Sequence, residues 1–133
     1  MVGLRQNLGM LVDGGAPTPA AANPGNWGGS VAGVATMRSG LGVDAHGALL
    51  WAGGRLSPLD LANALVAGGA VRAMEMDINP EWVTANLYSQ GPDGKCHGVK
   101  GLEGSQDKGG MRAPADRYLS TDTRDFVAVY SKP

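Results

Sequence analysis

Arg38 to Pro80 reads R-S-G-L-G-V-D-A-H-G-A-L-L-W-A-G-G-R-L-S-P-L-D-L-A-N-A-L-V-A-G-G-A-V-R-A-M-E-M-D-I-N-P. Residues 34–44 alternate loosely between apolar and polar and end at Asp44-Ala45-His46-Gly47. Asp and Gly at the two ends of a four-residue turn favour a hairpin. Ala48 to Trp51 is then the return strand, closed by Gly53-Gly54. Ser57-Pro58-Leu59-Asp60 opens a helix. Ser57 can cap it, Pro58 suits the first helical position, and Asp60 can complete a capping box. Leu61, Leu65, Ala62 and Val66 form one apolar stripe, and Gly68-Gly69 stops the helix. A strand over 70–77 follows at once. The strand–helix–strand order from 48 to 77 permits a parallel crossover, which would be right-handed.

That last strand ends in two acids, Glu75 and Asp77. Side chains two apart on a strand share a face, with Cα atoms about 6.5–7 Å apart. A strand over 70–77 therefore projects both carboxylates the same way at its C-terminal end. Acids there are costly to bury and frequent at functional sites. A strand end that merely reaches water explains them equally well.

Outward from this stretch the signals thin. Leu8 to Val12, followed by Asp13-Gly14-Gly15, reads as a strand entering a turn within residues 5–13. Residues 16–30 are mostly Pro, Ala, Asn and Gly with Trp27 as the one large side chain, a loop that Trp27 pins by packing. Trp82, Asn86 and Tyr88 suggest a strand or extended edge. Residues 91–112 are rich in Gly, Lys, Asp and Ser and read as a long surface loop holding Cys96-His97. No C-x-x-C or H-x-x-x-H accompanies that pair, and His46 sits alone in a turn, so neither marks a metal site. Phe126 to Tyr130 reads as the clearest strand, closing the sheet with Phe126, Ala128 and Tyr130 on one face.

Length and composition fit one domain over 1–133. The expected class is α+β: a β-rich mixed sheet, one helix near 57–68, and long Gly-rich loops. Apolar residues make up 43% but aromatics only 5%, and there are 22 glycines. Such a chain loses more backbone entropy on folding and packs few large side chains, which suits a loop-rich or incomplete fold. Net charge is −1 with acids and bases interspersed. The basic footprint of a nucleic-acid binder is absent. One cysteine cannot make an internal disulfide. No run of about 18 apolar residues predicts a transmembrane helix, and no apolar stretch near the N-terminus predicts a signal peptide.

The ordered set of motifs resembles the phosphodiester glycosidase family, whose best-known member, the lysosomal uncovering enzyme, removes N-acetylglucosamine from a phosphodiester. The matching positions are Arg38-Ser39-Gly40-Leu41-Gly42, Leu59-Asp60-Leu61 and Ala73-Met74-Glu75-Met76-Asp77. Flanking matches are Arg5-Gln6-Asn7-Leu8, Leu11 to Gly15, Pro114 to Tyr118, and Arg124 to Ala128. Two departures stand out. Glu75 replaces a usual Asn, and Ile78-Asn79-Pro80 replaces the family's glycine run after the aspartate. The resemblance covers nearly the whole chain but falls on the C-terminal half of the family domain. It implies an incomplete domain, with the N-terminal half as a partner.

The same resemblance implies a secreted or cell-envelope hydrolase of actinobacterial type that cleaves a sugar linked through a phosphodiester. Glycoside cleavage generally uses two carboxyl groups, here Asp77 and Glu75. Arg38 is the implied phosphate ligand, because a guanidinium fork binds phosphate oxygens in pairs. An ion pair with a sheet neighbour is its other reading. Gln6 and Asn7 would orient the sugar or tie down a loop. No cofactor is required, although Asp77 and Asn79 could offer oxygen ligands to Ca²⁺ or Mg²⁺. The alternative function is a non-catalytic sugar or wall-polymer binding module, or an inactive fragment. Loss of the glycine run favours that alternative, since it removes backbone freedom and, at Pro80, an N–H.

Overall fold

The computed structural model describes residues 9–23, 35–79, 83–101, 115–121 and 127–130. Strands β1 (Met10–Asp13), β2 (Ala16–Pro17), β3 (Thr36–Asp44), β4 (Leu49–Leu56) and β5 (Ala70–Glu75) form one sheet in the order β2-β1-β5-β3-β4. Every neighbouring pair is antiparallel. Helix α1 (Pro58–Ala67) covers one face, and a second sheet pairs β6 (Asn86–Gln90) with β7 (Cys96–Gly101). The class is α+β, as the sequence leads one to expect.

The β3–β4 hairpin forms where the turn chemistry puts it. Asp44 Oδ1 accepts from the amides of His46 and Ala48, both at 2.8 Å. Gly47 takes φ 86°, a conformation that glycine adopts without strain. The helix also starts as read. Ser57 Oγ accepts from the Asp60 amide at 3.1 Å, and Ser57 Oγ donates to Asp60 Oδ2 at 2.6 Å. Gly69, at φ 98°, turns the chain out of the helix, and β5 begins one residue later.

β4 and β5 each run antiparallel to β3, so they point the same way with β3 between them. The parallel crossover that the strand–helix–strand order permits is therefore present, and it skips one strand. Its helix packs Leu61, Ala62 and Leu65 against Leu11, Val12, Ala70 and Ala73. Close approach needs glycine on the facing strand. A Cβ on Gly40 would lie 2.8 Å from Leu65 Cδ1, and one on Gly42 would lie 3.1 Å from Ala73 Cβ. Gly40 and Gly42 thus put bare backbone beneath the helix.

Four expectations are corrected. Gly53 and Gly54 do not end β4; they pair with Ser39 and Arg38 inside the ladder. The indole of Trp51 explains one of them, because a Cβ on Gly53 would sit 2.5 Å from Trp51 Cη2. Residues 91–101 are a hairpin end and strand β7 rather than surface loop. Gly91-Pro92-Asp93-Gly94 supplies the turn, with Gly94 at φ 74° and Asp93 Oδ1 accepting from Lys95 N at 3.0 Å. Residues 127–130 join no sheet. Val127, Val129 and Tyr130 are 48, 71 and 85% exposed, so strand propensity there meets no partner ladder. Finally, β5 closes at Glu75 instead of residue 77. Trp27, Trp82 and Phe126 lie outside the described residues.

Replacing Ser57 with Ala should lower unfolding free energy by about 1 kcal/mol, since the helix loses its side-chain cap. A urea titration followed by circular dichroism measures it; an unchanged midpoint would show that this cap contributes nothing.

Candidate functional site

The two motif segments Arg38–Gly42 and Ala73–Asp77 meet as neighbouring strands, with Gly40 opposite Glu75 and Gly42 opposite Ala73. Alternation along β3 places Arg38 on the same face as Gly40, which is the helix-covered face. Glu75, opposite Gly40, shares it. The result is a buried diagonal pair. Arg38 Nη1 donates to Glu75 Oε1 at 2.7 Å, with 0 and 1% of the two side chains exposed. Arg38 Nε donates to the carbonyl of Leu56 at 3.1 Å, just before the helix cap. One guanidinium therefore links β3, the end of β4 and the end of β5.

Burial pushes the Glu75 carboxyl above its ordinary value of 4.5, and the hydrogen bond and charge of Arg38 pull against that rise without cancelling it. In buried pairs of this kind the cost of desolvation commonly offsets most of the attraction. Removing one partner is worse, because the other charge is then buried alone.

Asp77 stands differently. Continuing the register from Gly40–Glu75 would set Ser39 opposite Met76. Instead Met76 N donates to Ser39 O at 2.8 Å while Ser39 N donates to Asp77 O at 2.9 Å. Met76 and Asp77 thus both bond to Ser39 just past the end of the β5 ladder, an offset of the β-bulge kind. The inserted residue breaks the alternation on which a shared face for Glu75 and Asp77 depended. Glu75 is sealed with Arg38, whereas Asp77 is half-buried at the sheet margin.

The Asp77 carboxylate is nevertheless fixed. Its Oδ1 accepts from the amides of Ile78 at 2.8 Å and Asn79 at 3.0 Å. Its Oδ2 receives no hydrogen bond from the described residues. Asn79 is exposed beside it. The sequence reading missed Ser39, whose hydroxyl accepts from Asp77 N at 3.3 Å and donates to Asp77 O at 3.4 Å. The Arg-Ser dipeptide was visible in the motif, but only the bulge gives the serine a task. Gln6 and Asn7 lie outside the described residues.

Among the described residues, no group of three or more His, Cys, Asp or Glu could hold a metal ion. A concavity of about 300 Å³ is lined by His97, Gly98, Ala115, Asp116 and Leu119. His97 Nε2 donates to Asp93 Oδ1 at 3.0 Å, which holds the exposed Asp93 carboxyl below its ordinary value. Gly98 lets the 115–116 turn approach, since a Cβ there would lie 2.6 Å from the Ala115 carbonyl carbon. No helix among the described residues is long and apolar enough to cross a membrane. The chain matches no family model, no curated protein and no solved structure.

Glu75→Leu alone should cost about 3–5 kcal/mol near neutral pH, because it strands the Arg38 charge. Arg38→Met combined with Glu75→Leu should cost far less than the two single changes added together. The pH dependence has a defined sign. A carboxyl raised on folding contributes stability below its unfolded value, and that contribution is lost as pH rises through the folded value. The stability of wild type relative to the double variant should therefore fall as pH rises above the ordinary carboxyl value of 4.5. Denaturant titrations of both proteins across that range read it directly; a flat or rising difference contradicts the assignment.

Proposed function

We propose that this chain carries the working carboxylate of a phosphodiester glycosidase-type hydrolase, acting on a sugar linked through phosphate, with cell-envelope glycans as the expected substrate class. The observation that carries the reading is the state of Asp77. One oxygen is fixed by two backbone amides while the other has no described donor, at the margin of a sheet that joins the two resembling motifs. A carboxylate that is oriented yet unsatisfied is suited to accept a proton from a bound hydroxyl or water.

The chemistry needs one such group more than two. Water attacks the anomeric carbon and gives its proton to Asp77. The carbon–oxygen bond to phosphate breaks, and its electron pair leaves with the phosphate oxygen. A phosphate monoester is a weakly basic leaving group, so protonation by a second carboxylic acid contributes little. Glu75 then need not act on substrate. Together with Arg38 it supports the end of β5 from beneath, and neither side chain has surface on which to touch a ligand.

A second reading has its own support. The two amides on Asp77 Oδ1 also describe a carboxylate that merely closes its own loop. On that reading the chain is a non-catalytic module that binds sugar or wall polymer.

Hydrolysis of chromogenic sugar phosphodiesters separates the two. Asp77→Asn should lower turnover by about 10²-fold or more with circular dichroism unchanged. Full activity in the variant removes Asp77 from the mechanism. A wild type inactive on several sugars that still sediments with cell-wall polysaccharide establishes the binding module instead.

A further inference from the structure

We propose that Ser39 is a positioning residue for Asp77, acting through the bulge and not on substrate. Its side chain is buried, with 3% of the residue exposed. A bulge leaves one amide without a ladder partner. At this bulge Met76 N takes the Ser39 carbonyl, and the displaced Asp77 N is left over. The Ser39 hydroxyl accepts from it at 3.3 Å and donates back to the Asp77 carbonyl at 3.4 Å. With the Ser39 N bond to the same carbonyl at 2.9 Å, one residue holds both backbone groups of Asp77.

The consequence reaches the carboxylate. Asp77 Oδ1 is fixed by the next two amides, Ile78 and Asn79, and a held Asp77 backbone fixes where that local turn points. Each hydroxyl contact is long and individually weak. Their effect is to choose the bulged arrangement over a regular one in which Met76 alone faces Ser39. In that regular ladder Asp77 would return to the face of Glu75 and lie over a charged pair already complete. Serine is thus the element that separates the two carboxylates, one sealed and one presented. No other described side chain hydrogen-bonds to the Asp77 backbone.

The kinetic arm rests on the carboxylate reading above; the structural arm does not. In wild type, amide hydrogen exchange by NMR should show Asp77 N protected, along with Ile78 and Asn79. An unprotected Asp77 amide in the wild type overturns the proposal without any variant. In Ser39→Ala, exchange at 77–79 should quicken by about tenfold or more, while β3 and β5 amides beyond Gly40 keep their rates. Unchanged exchange at 77–79, or a uniform rise across the sheet, overturns it too. If the wild type hydrolyses a sugar phosphodiester, Ser39→Ala should lower kcat by roughly 10- to 100-fold with KM nearly unchanged, as expected for a misplaced reacting group. Ser39→Thr keeps the hydroxyl and should restore most of that loss. A change in KM alone, or no rescue by threonine, overturns the positioning role. A wild type without hydrolysis removes the enzyme reading, and the exchange data still decide whether Ser39 holds Asp77.

Discussion

The contact between Arg38 and Glu75 is the one that the rest of the sheet must accommodate. Two charges with almost no exposed surface sit on the face that α1 covers. The guanidinium is shared, reaching Glu75 on β5 and the Leu56 carbonyl at the end of β4, and that sharing helps to hold them there. β3 must therefore lie between those strands, whatever the chain order suggests. Its own helix-facing positions, Gly40 and Gly42, carry no side chain, so the helix sits on backbone. A pair of this kind contributes little net stability and penalises any register that separates its members. Here that penalty acts on the pairing of β3 with β5, where a one-residue slip would move Glu75 to the opposite face.

The bulge follows from the same constraint. With Glu75 anchored below the sheet, a regular continuation would bring Asp77 to that face as a second carboxylate near the first. Doubling Met76 and Asp77 against Ser39 releases it. The acidic pair that looks like a dyad in sequence is thus divided by the backbone. One carboxylate is given to structure and the other to solvent, which is why Asp77 carries the functional proposal alone.

What was legible in the sequence was local. The Ser57 cap, the Asp44 turn and the glycine after the helix each complete their hydrogen bonds within a few residues, so short-range chemistry determines them. What was not legible depended on partners far along the chain. Phe126 to Tyr130 has stronger strand propensity than β7, yet 127–130 joins none of the described strands while Cys96–Gly101 finds β6. Gly53-Gly54 looks like a terminator, but inside a ladder it is where Trp51 can lie flat. Arg38 and Glu75 could be picked out as residues, and an ion pair was one of the readings open for Arg38. Their union could not be read, because 36 intervening residues separate them and only the strand order brings them together. The bulge was invisible for a related reason: Met-Asp is an ordinary dipeptide, and only the register against β3 makes it two residues facing one.

The loop after β5 also says what kind of ligand it suits. A phosphate-binding turn directs free amide donors outward. In Ile78-Asn79-Pro80 the first two amides are turned inward onto Asp77 Oδ1, and proline has none to offer. What remains is an acceptor, Asp77 Oδ2, next to the exposed Asn79. Such a loop recognises a hydroxyl or a water more readily than an anion. On the proposed reading, the sugar side of a phosphodiester and its attacking water would lie near Asp77, with the phosphate away from it. On that reading a carboxylate could serve there, since an anionic phosphate drawn against Asp77 would be repelled by it.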